Sequence, residues 1–396
     1  MGIQAGVGMS HHRNPKVAGK EAAEKALEAA GVEKPDFVLT FATVGYDQQD
    51  LLKAVREATG GAPLCGCSAE GVIAGGEADE SNFAVAVMAI SSDQLRFSHG
   101  MVTGLKEDPA QAGRAIAEAI QPKVSSDTLA LFLFPDGITV NFDRLLAGLE
   151  GQLNLDRLLP LVGGTAGDNL VMERTYQYYN DQVVSDGVAW ALLSGGAQIA
   201  WAVNHACVPV GVEYKVTRCE GNVIYEIDGK PALEVLKDYL TEDEIEDWAR
   251  AVLTFQFGFK VPGHMQDYDE YVIRGMLGGK DDATGSVTIP TEVSEGTGIW
   301  LTRRDYEKLV NGVERAAEEI KAQLGEDPAR LVFQFDCAGR GKIFLREQQK
   351  LGLLETLRGQ IGPDVPWLGF YTFGEIAPVG EHNHFHNYTV VFTVIY

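Results

Sequence analysis

Three short segments of the sequence combine apolar residues with glycine and a hydrogen-bonding side chain. They are residues 63–68, 160–165 and 366–371, and each reads proline, two apolar residues, glycine, any residue and a hydroxyl. The pattern is typical of a short buried strand whose end lacks a bulky side chain. Glycine at that point lets another group approach the main chain closely. We therefore predict a ligand site lined by three strand ends, although structural turns explain part of the pattern.

The side chains in and beside these segments supply the candidate ligand contacts. Ligands of open α/β sheets bind outside the carboxyl ends of the strands, so we expect the three ends to converge. The predicted ligand-binding residues are Gly66, Cys67, Ser68, Gly163, Gly164, Thr165, Asp168, Gly369, Tyr371 and Glu375. The acids of this set, together with Glu70, could hold an ammonium group. The plainer interpretation is that each hydroxyl caps its own turn and each carboxylate is solvated.

Arg340 is the predicted source of positive charge in this site. It follows the apolar run 331–335 and lies between two glycines, where its guanidinium could bind a carboxylate through paired hydrogen bonds. A salt bridge to one of the many nearby acids is an equal alternative. An acidic protein that binds an anionic ligand needs such local positive charge.

Two side chains of the first segment raise the alternative of a hydrolase. Gly66-x-Ser68 resembles part of a nucleophile elbow, but that motif requires glycine two residues after the serine, where this chain has Glu70. Cys67 is a second candidate nucleophile, with no histidine close to it in the repeat. We therefore predict no catalytic residue, and a hydrolase that uses Ser68 or Cys67 stays an alternative.

Three histidines near the end of the chain have a spacing that could bind a metal. His382, His384 and His386 would share one face of an extended segment. A polar turn before the last strand explains the same residues more simply. We therefore predict no metal site.

Helix caps and apolar runs predict the elements that position these residues. Asn14 followed by proline begins a helix that runs to about Ala30, and residues 37–42 form a buried strand after it. The same order of elements begins again at Asp108, and a third copy occupies the C-terminal part. We therefore predict an α/β fold of two related domains, built from repeated βαβαβ units with mainly parallel or mixed sheets.

The third copy is separated from the second by a stretch that fits the repeat poorly. Residues 214–279 combine strand signals with acidic helices. We place the domain boundary near residue 200, so that residues 1–199 hold two units. Residues 200–396 then hold an irregular insertion and the third unit.

Composition restricts the partners and the compartment. A net charge of −23 over 396 residues repels phosphate backbones, so we expect no nucleic-acid partner. Five cysteines without a Cys-x-x-Cys pair are typical of reduced thiols, which indicates a cytoplasmic protein. The uncharged stretch 187–212 contains a glycine pair and polar residues. It predicts two strands joined by a turn and not membrane insertion.

Several of these stretches resemble the FIST domain family. Residues 66–71 (GCSAEG) and 163–168 (GGTAGD) are similar to its N-terminal part. Residues 220–232, 337–340 (CAGR) and 369–376 (GFYTFGEI) are similar to its C-terminal part. The resemblance covers nearly the whole chain in the family's order. It implies a FIST N-terminal domain at 1–199 and a FIST C-terminal domain at 200–396, without an accompanying kinase or receiver region.

The resemblance also implies a function. FIST proteins are sensory modules of signal transduction that are proposed to bind small polar ligands such as amino acids, so the expected role is non-enzymatic. A partner kinase or other regulator would receive the signal. Some family members bind haem and report nitric oxide. We expect no cofactor, and haem is the one alternative that the resemblance raises. His205, His264 or the histidines at 382–386 would then be candidate axial ligands.

Overall fold

A computed structural model of the protein describes residues 2–153, 155–261, 265, 268–276 and 279–396. The chain begins with a unit of eight elements. They are β1 (Ile3–Ser10), α1 (Pro15–Ala30), β2 (Phe37–Thr43), α2 (Gln48–Ala58), β3 (Leu64–Ala69), β4 (Gly71–Ala74), β5 (Glu77–Asp79) and β6 (Val85–Ser92).

A second unit repeats this order of strands and helices. Its elements are β7 (Leu95–Thr103), α3 (Pro109–Ile120), β8 (Thr128–Pro135), α4 (Phe142–Gln152), β9 (Leu161–Gly164), β10 (Gln177–Tyr179), β11 (Gln182–Val184) and β12 (Gly187–Gly195).

The third unit starts with β13 (Ile199–His205) and is interrupted by an insertion. The insertion comprises β14 (Cys207–Glu220), β15 (Val223–Ile227), β16 (Lys230–Pro231), α5 (Ala232–Lys237), α6 (Glu242–Glu246), α7 (Trp248–Thr254), β17 (Gln256–Lys260), β18 (Tyr271–Arg274), β19 (Lys280–Asp281), β20 (Ser286–Thr288) and β21 (Gly298–Arg304). The unit resumes with α8 (Tyr306–Leu324), β22 (Leu331–Cys337), a 3₁₀ turn (Ala338–Arg340), α9 (Glu347–Ile361), β23 (Trp367–Thr372), β24 (Glu375–Val379), β25 (His382–His386) and β26 (Thr389–Ile395).

Local signals start the helices where the sequence predicts them. The Asn14 side chain accepts hydrogen bonds from the N–H groups of Lys16 and Val17, and proline fills the first helical position. Asp108 caps α3 in the same way. The stretch around residue 200 forms two strands, β12 and β13, as predicted. Among the described residues, no helix is both long and apolar enough to cross a membrane.

Each of the three units contributes four strands to its own six-stranded sheet. The strand orders are β1-β6-β2-β3-β10-β11, β7-β12-β8-β9-β24-β25 and β13-β26-β22-β23-β4-β5. The parallel pairs are β2–β3, β8–β9 and β22–β23, and the other neighbours are antiparallel. The α/β class is thus confirmed, with mixed sheets. Parallel pairing stays limited because the last strand of each unit returns antiparallel between its first two.

The outer hairpin of every sheet comes from a different unit. β4–β5 of the first unit pair with β23 of the third, while β24–β25 of the third pair with β9 of the second. β10–β11 of the second unit pair in turn with β3 of the first. The boundary predicted near residue 200 stays a prediction, and strands are exchanged across it in both directions.

The inner faces of the three sheets pack around one aromatic cluster. Phe41 of β2 lies 5.3 Å from Phe134 of β8 and 4.3 Å from Phe370 of β23, measured between ring centroids. Phe335 of β22 completes the cluster, 5.7 Å from Phe370. All four rings are buried. The middle of the molecule is therefore closely packed with aromatic side chains.

The glycines of the three predicted segments lie within the parallel pairs. A Cβ atom on Gly66 would lie 1.8 Å from the carbonyl oxygen of Thr40 on β2. The corresponding distances are 2.2 Å from Gly163 to Leu133 and 2.2 Å from Gly369 to Gln334. These glycines are therefore explained by strand packing and not by ligand access. Each one lets the carbonyl of the neighbouring strand come close to its Cα.

We expect Gly66→Ala to destabilise the protein by about 3 kcal/mol, because a fixed strand carbonyl cannot move away from the new methyl group. The matched control is Gly352→Ala in α9, where no atom lies within 4 Å of the added Cβ. That change should stabilise the helix by about 0.5–1 kcal/mol. Urea unfolding midpoints of the two variants measure both effects, and equal midpoints would contradict the steric explanation.

Candidate ligand site

The three predicted strand ends meet and hydrogen-bond to one another directly. The N–H of Glu70 donates to the carbonyl of Tyr371 at 3.0 Å, and the N–H of Gly167 donates to that of Ser68 at 3.1 Å. The N–H of Phe373 donates to the carbonyl of Thr165 at 3.3 Å. The ends thus come together, but main-chain hydrogen bonds occupy the place where a shared cavity was expected.

The small side chains at these ends are buried and mostly engaged. The Ser68 hydroxyl donates to the Gly167 carbonyl at 2.7 Å and accepts the N–H of Tyr176 at 2.9 Å. Thr165 is fully buried, and its hydroxyl has no hydrogen-bond partner among the described residues. Burial raises the pKa of the Cys67 thiol well above its ordinary value. Neither Ser68 nor Cys67 lies at a surface that an ester could reach, so their positions do not support the hydrolase alternative.

The acidic side chains that follow the strand ends accept hydrogen bonds from neighbouring segments of the chain. Asp168 accepts the N–H groups of three consecutive residues, 172–174. One oxygen of Glu70 accepts the N–H groups of Asp168 and Leu170 at 2.9 and 2.8 Å. Glu375 accepts hydrogen bonds from the Thr372 hydroxyl and from the N–H and hydroxyl of Thr389. Burial raises the pKa values of Glu70 and Glu375 to about 8.

Arg340 and Tyr371 meet in a small buried cavity that we call the chamber. It lies between the outer face of the third sheet and helices α8 and α9, with a volume of about 20 Å³. Further lining residues are Ile73, Val313, Gln334, Asp336, Leu345, Lys350, Leu353, Leu354, Leu357 and Phe392. The apolar members pack the helices onto the sheet, so that the few polar groups share one confined space.

A chain of hydrogen bonds orients the charged groups of the chamber. The Trp367 indole N–H donates to the Gln334 oxygen at 3.0 Å, and the Gln334 amide donates to Asp336 Oδ2 at 3.0 Å. Asp336 Oδ1 accepts Arg340 Nε–H at 2.7 Å. Burial raises the pKa of Asp336, and the charge and hydrogen bond of Arg340 oppose that shift.

Arg340 has binding capacity that the chamber leaves unused. The residue is 3% exposed, and its Nη1 is a buried nitrogen without a hydrogen-bond partner in the described part of the chain. A buried unpaired donor costs about 1–3 kcal/mol, and more when it is charged. A carboxylate placed against Nη1 would remove that cost. The Tyr371 side chain lines the same space, and burial raises its pKa well above the ordinary value, so its hydroxyl stays neutral.

The polar chamber is specific to the third unit. In the parallel pairs, Gln334 is opposite Gly369 and Asp336 is opposite Tyr371. The corresponding residues are Thr40 and Ala42 in the first unit and Leu133 and Pro135 in the second, by their place relative to Gly66 and Gly163. A carboxylate on this buried face therefore occurs in one unit of the three, so the shared fold does not require it.

An open cleft of about 550 Å³ lies beside the chamber. It is lined by Met9, His11, Gly76, Glu77, Ala78, Asp79, Glu80, Ser81, Lys342, Glu347, Lys350 and Leu351. Lys350 lines both spaces. Its Nζ lies 2.8 Å from Glu80 Oε2 and 2.9 Å from Glu347 Oε2. The Lys350 side chain is thus part of the wall between the cleft and the chamber.

Among the described residues, the candidate haem ligands His205 and His386 are buried and already engaged, which does not fit an axial role. The fully buried His205 accepts the N–H of Cys207 at Nδ1, and its Nε2 lies 3.1 Å from Asp269. His386 bonds the carbonyl of Ala377 at 3.1 Å and is also buried. His264 lies outside the described residues. No group of three His, Cys, Asp or Glu residues that could hold a metal occurs within the described ranges.

Sequence reasoning selected Arg340 and Tyr371, which line the chamber, but not the groups around them. Gln334 and Asp336 alternate with apolar residues in a buried strand, and this period-two placement of polar side chains was an available signal. Glu80 and Lys350 are 270 residues apart, so no local pattern connects them.

Comparisons with known proteins agree with the domain order. A model of the FIST N domain matches residues 36–230, and a model of the FIST C domain matches residues 232–378. An uncharacterized protein of Mycobacterium tuberculosis is 29% identical over 408 residues, covering 98% of both chains. An uncharacterized protein of Methanocaldococcus jannaschii is 27% identical over 292 residues, covering 70% of this chain and 54% of the relative. A crystal structure of chorismatase covers 100% of this chain and 99% of its own, with 9% identity and a TM-score of 0.37, which supports no functional argument.

The raised pKa values of Glu70 and Glu375 predict how stability depends on pH. A carboxyl whose pKa rises on folding stabilises the folded state fully below its unfolded pKa of about 4.5, and this contribution is lost as pH rises to about 8. Each carboxyl should therefore reduce the unfolding free energy by up to about 1.4 kcal/mol per pH unit in that window. Urea unfolding at pH 5, 6, 7 and 8 measures the slope.

Glu70→Gln should make this slope shallower and stabilise the protein at pH 8, since the amide oxygen can still accept both N–H groups without a buried charge. Glu33→Gln, on an exposed side chain, is the matched control and should leave the slope unchanged. A slope in Glu70→Gln as steep as in the wild type would show that Glu70 does not titrate in this range.

Proposed function

The chain belongs to the FIST domain family, and on that premise we propose that it is a non-enzymatic sensory protein that binds a small polar metabolite such as an amino acid. FIST domains are associated with sensory signal transduction. The proposed binding site is the chamber of the third unit. The observation that supports this choice above the others is the buried Nη1 of Arg340, which has no hydrogen-bond partner among the described residues.

The groups of the chamber complement the two charges of an amino acid. The Arg340 guanidinium can bind a carboxylate through Nη1 while its Nε stays on Asp336. Asp336, at the other side of that pair, can accept an ammonium group in addition to its present partners because a carboxylate has about four acceptor positions. Tyr371 adds a neutral hydroxyl. A zwitterion would leave no net charge buried, which is the arrangement that burial tolerates best.

The proposed signal is a change at the edges of the chamber. Arg340 belongs to a short 3₁₀ turn between β22 and α9, and the helix α9 covers the chamber. Ligand binding would shift this turn and the start of α9, and a signalling partner such as a kinase or another regulator would respond to the altered surface. A ligand can shift such an equilibrium only by its difference in affinity between the two states.

A thermal-shift screen of metabolites tests whether the protein has a small-molecule ligand. A ligand at a hundredfold excess over its Kd should raise the free energy of unfolding by about 2.7 kcal/mol. Calorimetry on the compounds that stabilise the protein then gives their affinities.

Arg340→Ala should abolish the binding of an amino-acid-like ligand, and Tyr371→Phe should weaken it about tenfold through loss of one hydrogen bond to a charged group. Arg303→Ala, an exposed arginine on β21, is the matched control and should bind as the wild type does. Because Arg340→Ala leaves Asp336 buried without its cation, Arg340→Lys is measured beside it, with a melting curve for each variant. Unchanged affinity in folded Arg340→Ala would remove Arg340 from the site.

A further inference from the structure

We propose that the ligand of the chamber is an acidic amino acid, with two carboxylates and one ammonium group, and that Lys350 admits it by leaving Glu80 and binding the second carboxylate. The inference rests on the proposed function and deepens it. It follows from three observations: the size of the chamber, the shared wall formed by Lys350 and the balance of buried charge.

The chamber is too small for an amino acid while Lys350 stays in place. A volume of about 20 Å³ is close to the space that one water molecule requires. The neighbouring cleft has about 550 Å³ and is open to solvent. Because Lys350 lines both spaces, movement of its side chain joins them and makes a site of the required size.

Lys350 is the partner that can move in its pair with Glu80. Both oxygens of Glu80 accept the main-chain N–H of Lys342 at 2.9 Å, and the Lys342 ammonium bonds the main-chain carbonyl of Glu80. Gly341 packs so tightly that a Cβ there would lie 2.1 Å from Glu80 Oε1. These contacts hold Glu80 when Lys350 leaves, whereas the lysine ammonium sits on four flexible methylene groups.

Lys350 stays charged and close to the chamber. Burial lowers its pKa, but the hydrogen bonds and charges of Glu80 and Glu347 outweigh this effect and raise the pKa overall. The ammonium lies 5.7 Å from the ring centroid of Tyr371, within the range of a cation–π contact. A displaced Lys350 ammonium therefore has a favourable aromatic surface on the chamber side.

Charge balance then selects the ligand. With Lys350 on Glu80, Arg340 and Asp336 leave the chamber neutral; with Lys350 turned inward, the chamber carries one net positive charge. Buried charges are costly unless they are paired. An acidic amino acid has one net negative charge, and its two carboxylates match Arg340 and Lys350 while its ammonium group matches Asp336. A neutral amino acid lacks a partner for Lys350.

Calorimetry with glutamate, aspartate, glutamine and asparagine on the full chain tests the proposal. An acidic compound should bind at least about tenfold more tightly than its amide, since the second carboxylate gains a charge-assisted hydrogen bond. Equal affinities for acid and amide would overturn the proposal and leave the proposed function standing. If no amino acid binds and the metabolite screen finds no ligand, the proposed function fails, and this inference fails with it.

Variants of the pair test the role of Lys350. Lys350→Met should weaken acidic amino acids about tenfold and leave amides unchanged, so that the preference disappears. Glu80→Gln should tighten acidic ligands, because it weakens the contact that holds Lys350 while Glu347 keeps the ammonium partnered. Lys321→Met, on an exposed lysine of α8, is the matched control and should keep the preference. A preference retained in folded Lys350→Met would overturn the assignment.

Discussion

The structure depends on the mutual hydrogen bonding of three strand ends. The main chain that follows β3, β9 and β23 is buried, and buried N–H and carbonyl groups require partners. Each end hydrogen-bonds to a strand end of another unit. The exchange of the hairpins β4–β5, β10–β11 and β24–β25 follows the same geometry, since each hairpin leaves a strand end and continues onto the sheet that this end contacts. No unit therefore completes its sheet alone.

This arrangement determines where a ligand can bind. The centre of the molecule holds main-chain hydrogen bonds and the aromatic cluster of Phe41, Phe134, Phe335 and Phe370, and a packed interior of this kind has no room for a metabolite. The outer faces of the sheets, beneath the helices, are the alternative. In the third unit that face carries Gln334 and Asp336 in place of small or apolar residues, and Asp336 pairs with Arg340 of the following turn. The central packing and the proposed site thus use opposite faces of the third sheet.

The buried polar groups of the chamber reduce the free energy of unfolding. Arg340 is buried, and its Nη1 lacks a hydrogen-bond partner in the part of the chain that the structure describes. Replacing a buried ion pair such as Arg340–Asp336 by apolar residues often stabilises a protein. The first and second units show that this fold accepts apolar or small residues at the same places. Unpaired polarity of this kind is typical of a binding site, where the ligand supplies the missing partner.

The sequence by itself determined the local structure and pointed to part of the proposed site. Caps such as Asn14 and Asp108 act within a few residues, and buried strands are visible in their composition, so helix starts, the α/β class and the three glycine segments could be predicted. Arg340 and Tyr371 could be selected because each belongs to a short local motif, the glycine-flanked arginine and the third glycine segment. The tertiary structure decided the rest. The hairpin exchange, the filled centre and the pair of Glu80 with Lys350 join residues far apart in the chain. Such contacts form only when distant surfaces are packed together, and a one-dimensional pattern does not encode which surfaces meet.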